Sequence, residues 1–244
     1  MLPKKGNAAE CSNYYTVALM SHIGKLMMTI LTRRLQSQAD KQASFWKDRS
    51  KIRQILALRL IVEKAKTKGR TIYNCFVDFQ KAFDSISHKA TWAILQSYGV
   101  GTRLIDLLKN TNENAQAAVR VNNELGEWFN VRKGNRQGDP VSPYVFITHL
   151  ERVMDANKDL KHDIAVHGVS INNLRFADDT DPTEASSSSL QEATQLLNEQ
   201  GKRSGPVMNK AKTQTMVFRN NNIDQPVKID DYTLKNVTRQ CVHI

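Results

Sequence analysis

From Tyr14 to Leu35 apolar residues return at helical spacing (Leu19, Ile23, Leu26 or Met27, Ile30, Leu31, Leu35), and the same period runs through Ile52, Ile55, Leu56 and Leu60. Two basic amphipathic helices are predicted, with those positions as their core faces. Between them, Ala39 to Ser50 lacks a clean period and reads as a loop whose Lys41, Lys47 and Arg49, with Lys51 beyond, could touch phosphates. After Gly69 the pattern changes. Thr71 to Phe79 is short and rich in β-branched and aromatic residues, as a strand is, and Ser87 is placed to cap a helix that ends at Tyr98-Gly99.

The alternation continues. A helix from Thr102 to about Asn112 leads into a hairpin of Gln116–Val121 and Glu127–Arg132 around Asn122-Asn123, and a loop from Gly134 to Pro143 opens an apolar helix through Val145, Ile147, Leu150 and Val153. Leu174 to Ala177 approaches Asp178-Asp179 as a strand, Ser186 to Ser189 caps a helix with Leu190, Leu196 and Leu197, and Lys212 to Phe218 reads as another strand. Strands separated by helices, with no internal repeat, define a mixed α+β chain.

Composition narrows the function classes. The 244 residues suffice for one large domain or two lobes, and a mean hydropathy of −0.49 with no apolar run of membrane length argues against a spanning helix. Cys11, Cys75 and Cys241 are odd in number and far apart, and Met1 to Glu10 has no apolar core of a signal peptide, so an intracellular, reducing compartment is predicted. The charge is uneven: residues 1–70 carry 15 Lys and Arg against 4 Asp and Glu, whereas the rest carry 20 of each, so the whole excess of +11 lies in the first third. Either a polyanion-binding surface or an ordinary solvated basic face has that distribution.

Three acids have apolar neighbourhoods: Asp78 closes the Phe76-Val77 strand, and Asp178 and Asp179 follow Phe176-Ala177. Singly, each reads as a turn or cap residue. Ionised carboxylates are costly to bury alone, so together they suggest a shared cation, and if their strands are neighbours Asp78 and Asp178 converge. Carboxylates holding two divalent cations about 4 Å apart serve polymerases and nucleases in phosphoryl displacement, and hard oxygen donors suit Mg²⁺.

Phe76 to Asp84 (FVDFQKAFD), Arg136 to Pro143 (RQGDPVSP) and Phe176 to Asp179 (FADD) resemble, in order and spacing, three motifs of reverse transcriptases, most of all those of non-LTR, LINE-type retrotransposons. Asn13 to Leu19 with His22 to Lys25 resembles the family's opening block, Gln42 to Ser50 its fingers block, and Asn209 to Thr213 its lysine-bearing motif. The resemblance implies the fingers and palm of a right-hand polymerase, an antiparallel sheet backed by helices. It divides the chain into a basic helical fingers part (1–70), a catalytic region (71–220) and a C-terminal hairpin with an off-pattern tail (221–244). It implies extension of a DNA primer on an RNA template with dNTPs, and two Mg²⁺ ions held by Asp78 and Asp178 with support from Asp179. Phe83 would lie under the sugar and exclude a 2′-hydroxyl, Gln137 and Gly138 would face the nascent base pair, Lys212 would lie near the leaving pyrophosphate, and Arg49 would contact the triphosphate.

Departures from the pattern are expected to weaken function. Asp181 adds charge beside the metal site, and Pro182 removes a ladder donor where an apolar strand is usual, so that strand is predicted to be short or frayed. Trp46 and Asp48 alter the fingers block, Pro206 replaces an apolar residue, and the tail after Val237 leaves no residues for a helical thumb. These features suggest a degraded or partial retroelement copy, with a catalytically dead nucleic-acid-binding remnant as the alternative. A two-metal nuclease is disfavoured, since Phe83 and Gln137 have no role in one.

Overall fold

The computed structural model describes residues 2–3, 14–15, 20–39, 51–81, 83–113, 115–118, 120–121, 124–136, 138–155, 157, 160, 164–166, 169–170, 173–176, 179–218 and 225–238. Among them the helices are α1 (His22–Ala39), α2 (Lys51–Thr67), α3 (His88–Ser97), α4 (Thr102–Glu113), α5 (Ser142–Asp155) and α6 (Ser187–Ser204). The principal sheet comprises β1 (Ile72–Phe76), β2 (Asn173–Phe176), β3 (Asp179–Glu184), β4 (Gln214–Phe218) and β5 (Lys235–Asn236). The chain is α+β, as its patterning predicts, and divides into two compact units: residues 1–43 with 83–149, and residues 44–82 with 150–244.

In the first unit α4 packs against both α1 and α3. Ser87 caps α3 by accepting the Ala90 N–H, and α3 stops where Gly99 takes a left-handed φ of 80° and donates to the Gln96 carbonyl. The buried side of α1 is Met28, Leu31, Thr32 and Leu35, which matches the predicted stripe only at Leu31 and Leu35: Ile23 is 82% exposed, and Leu26, Met27 and Ile30 also face solvent. At about 100° per residue the apolar positions of α1 sweep roughly 200° of the helix, so periodicity established the helix but not which half is covered. The hairpin expected before the Gly134 loop is present in two pieces, Gln116–Ala117 against Phe129–Asn130 and Arg120–Val121 against Glu124–Leu125.

In the second unit the sheet order is β2-β3-β1-β4-β5, antiparallel except for the parallel β4–β5 edge. Helix α2 covers β2, while α6 packs on β1 and β3. Ile61 and Ala65 of α2 form a buried cluster with Ile72, Ile164 and Leu174, whereas Leu56 and Leu60, predicted to be inside, are exposed. Ser186 caps α6 by accepting the Ser189 N–H, and the helix ends at Gly205, φ 126°.

β3 corrects the expectation of a frayed strand. It runs six residues, of which Asp179 to Pro182 pair with β2, from Phe176–Asp179 to Asn173–Pro182. On its other side it meets β1 at Tyr73–Glu184 and Asn74–Thr183, then again at the Val77–Thr180 bridge. Along an antiparallel strand, backbone donors point alternately to the two neighbours. Thr180 bonds toward β1, so the donor missing at Pro182 also faces β1, in the interval where that ladder is open. The β2 side keeps every donor. Apolar alternation is replaced by fully buried Thr180 and Thr183, β-branched residues suited to strands, and the Thr183 hydroxyl donates to Asn74 Oδ1 at 2.6 Å.

Candidate active site

In the second unit, Asp78 lies two residues beyond β1, next to Val77, which bridges to Thr180, and its side chain is half-buried. The Val77 N–H donates to Thr180 O at 3.0 Å. The register that sets Val77 against Thr180 places the backbone of Asp78 across from Asp179, the first residue of β3. On its opposite flank the Asp78 N–H donates to Thr213 Oγ1 at 3.2 Å, and the Asp78 carbonyl accepts the Asn209 N–H at 2.7 Å.

Asn209 to Thr213 is a tight turn, its carbonyl at Asn209 accepting from both Lys212 N (3.2 Å) and Thr213 N (2.8 Å). It presents Lys212 to solvent and buries Thr213 completely. Just before it, Val207–Met208 pairs with Phe79–Gln80. Asp78, the backbone of Asp179 and Lys212 are therefore brought onto adjoining segments. Asp178 lies outside the described residues.

The turn is tied down at Lys210. Its ammonium meets Asp230 at 2.9 Å, and Asp230 also receives Lys202 Nζ at 2.7 Å and Asn198 Nδ2 at 3.2 Å. The two lysines, Lys202 first, hold the Asp230 carboxyl down at about 2. Behind the sheet, complete burial pushes the Cys75 thiol up to about 12.

In the first unit, Phe83 stacks on Phe146 of α5, ring centroids 4.6 Å apart, and its carbonyl accepts the Asn135 N–H at 2.8 Å. Gly134 donates to Ile86 O and its carbonyl meets His88 Nε2 at 2.8 Å, so the segment bearing Phe83 is stitched to the loop that leads to Gly138. Gly138 is exposed with φ 103°, a conformation favouring glycine. Asp139 beside it is buried, which raises its carboxyl above the ordinary range despite the Val141 N–H it accepts at 2.9 Å and the nearby Arg136. Arg136 donates to the Thr111 carbonyl. Gln137 and Arg49 lie outside the described residues.

Two of these residues, Thr213 and Asp139, were not singled out from the sequence. The signal for Asp139 is its place before Pro140 at a helix start, where a side-chain oxygen satisfies free backbone N–H groups. For Thr213 it is a hydroxyl residue immediately before a strand, Gln214–Phe218.

A metal centre built on Asp78 and Asp179 has hard oxygen donors of the right kind. Among the described residues no ion pair or side-chain hydrogen bond engages the Asp78 carboxylate, which leaves its oxygens for a cation. No group of three His, Cys, Asp or Glu able to hold a metal occurs among those residues, Asp178 being outside them. No described helix is long and apolar enough to cross a membrane.

Residues 2–239 match the family described as reverse transcriptase (RNA-dependent DNA polymerase), and the chain belongs to that family. Its relatives include the Retrovirus-related Pol polyprotein from type-2 retrotransposable element R2DM of Drosophila melanogaster, 26% identical over 73% of this chain and 17% of that protein. Another is the Transposon TX1 uncharacterized 149 kDa protein of Xenopus laevis, 26% identical over 62% of this chain and 12% of that protein. The chain thus spans under a fifth of the length of either, and both accord with the LINE-type motifs. Among solved structures, telomerase from Candida albicans in complex with a telomeric RNA fragment superposes with a TM-score of 0.63 at 12% identity, over 83% of this chain and 36% of that one. Telomerase from Candida tropicalis gives 0.61 at 13% identity, over 80% and 34%. Those two likenesses establish the fold, which accords with the polymerase fingers and palm.

Proposed function

We propose that this chain carries the nucleotidyl-transfer centre of an RNA-directed DNA polymerase, lengthening a DNA primer on an RNA template with dNTPs. The observation that supports it best is the position of Asp78: the Val77 N–H just before it is bonded to Thr180 of the strand that begins at Asp179, and its own N–H and carbonyl are bonded to the turn that presents Lys212. Two acids and a lysine thus stand on adjoining segments, residue types that an in-line phosphoryl displacement would use.

Asp78, Asp178 and Asp179 would hold two Mg²⁺ ions, which when bound lower the pKa of the primer hydroxyl and neutralise phosphate charge. Lys212 carries a solvent-facing ammonium with a proton for the departing pyrophosphate oxygen. Phe83, which stacks on Phe146, would lie under the sugar and exclude a 2′-hydroxyl. Gln137 and Gly138 would meet the nascent base pair, and Arg49 the triphosphate. The basic first third supplies cations for template and primer phosphates.

Extension of oligo(dT) on poly(rA) by the purified chain tests the proposal. We expect short products that require a divalent cation and vanish in Asp78→Asn. A chain that binds the hybrid but adds no nucleotide in either Mg²⁺ or Mn²⁺ would favour the binding-only remnant.

A further inference from the structure

We infer that Thr213 is a positioning residue that sets the Asp78 carboxylate through the Asp78 main chain. The inference rests on the reading of Asp78 as a metal ligand. The β1–β4 ladder ends at Phe76–Gln214, so Asp78 lies beyond the last residue of β1 that β4 can pair. A side chain substitutes for the missing strand partner: Thr213 Oγ1 accepts the Asp78 N–H at 3.2 Å, and the Asn209 N–H closes on the Asp78 carbonyl at 2.7 Å. Both polar groups of one residue are therefore gripped by one turn.

That turn is braced from outside the site. Its closing bonds run to Asn209 O, Lys210 is held by Asp230, and Asp230 is held in turn by Lys202 and Asn198 of α6. Thr213 itself is wholly buried, so its hydroxyl cannot exchange Asp78 for water. Valine has the same shape but puts a methyl group against that N–H, leaving a donor without its acceptor; serine keeps the acceptor. Because the turn also carries Lys212, a shift at Thr213 moves the candidate acid and the candidate metal ligand together.

The test reads metal binding without turnover. The full chain is titrated with Mn²⁺ and free ion followed by electron paramagnetic resonance, in wild type, Thr213→Val, Thr213→Ser and Asp78→Asn. Loss of an outer partner of a metal ligand commonly costs 10–100-fold in affinity, so Thr213→Val is expected to bind on the order of tenfold more weakly. Thr213→Ser should stay within about twofold of wild type, since the acceptor that carries that effect is retained. Wild-type affinity in Thr213→Val alongside loss in Asp78→Asn would overturn the positioning role and leave the metal reading standing. Wild-type affinity in Asp78→Asn would overturn the metal reading itself. Should Thr213→Val fail to fold, hydrogen exchange on the wild-type chain decides: Mn²⁺ must slow exchange in 76–80 and 209–214 together, and slowing in 76–80 alone overturns the inference.

Discussion

Gly134→Ala isolates the backbone contact that holds the Phe83 segment. Gly134 has φ 86°, and a Cβ placed on it would lie 2.9 Å from both the Cα and the carbonyl oxygen of Asp84. Those atoms are main chain, fixed on either side by Asn135 N to Phe83 O and Gly134 N to Ile86 O, so they cannot swing away as a side-chain end would. Gly99 is the natural control: its φ is 80°, but an added Cβ would meet nothing within 4 Å. Both alanines carry the left-handed penalty of about 1–2 kcal/mol, and both gain the same small advantage from a less flexible unfolded chain. Only Gly134→Ala adds overpacking, about 1–3 kcal/mol. At about 2–4 °C per kcal/mol for a chain of this size, its Tm should fall about 2–12 °C further than that of Gly99→Ala. Calorimetry on the two variants measures the difference. Equal shifts would refute the argument that the Asp84 backbone is immovable.

Asp230 gives a pH dependence of defined sign. Its folded value of about 2 lies below the ordinary 3.8, so its ion pairs stabilise fully above pH 4 and are lost as pH falls toward 2. The Tm gap between wild type and Asp230→Asn should be constant above pH 4, narrow as pH falls toward 2 and shrink in 1 M salt; a gap as wide at pH 2 as at pH 6 would contradict the assignment. Cys75, pushed up to about 12 by burial, should resist iodoacetamide at pH 8 in the folded chain and react once denatured, as site-resolved mass spectrometry would reveal. Replacing exposed Lys25, Arg33, Lys66 and Lys68 with Gln should flatten the logarithmic salt dependence of RNA binding by up to about 3, and an unchanged slope would mean those charges are merely solvated.

The sequence was most legible where local chemistry fixes structure. Ser87 and Ser186 each stand where backbone donors need an acceptor, so the starts of both helices were legible, and Gly99, where the chain leaves α3 through positive φ, marked the end of that helix as well. Three motif blocks were enough for the family, because their residue types recur in fixed order. What was not legible was relational. Which half of α1 is covered depends on where α4 packs, and an apolar arc of some 200° holds no mark of that choice. Thr213 escaped notice because its significance is a bond to a residue 135 positions away. Asp230 likewise becomes an anchor only once α6 and the Asn209 turn bring Lys202 and Lys210 to it.

Pro182 carries the same point into function. Counted as a residue type it is damage, a missing donor four residues after Asp178. Counted by direction it is nearly neutral, because the missing donor faces the open interval opposite Cys75 and Phe76 while every bond to β2 remains available. The bridge at Thr180 still fixes Val77, and through it the alignment of Asp78 with Asp179. A positioning error of about 1 Å can cost on the order of a hundredfold in rate, so a frayed β3 would by itself have argued for a dead centre. With β3 continuous, that argument lapses. The grip on Asp78 then depends on the other flank, where a hydroxyl at Thr213 and an amide at Asn209 do what a strand partner would otherwise do.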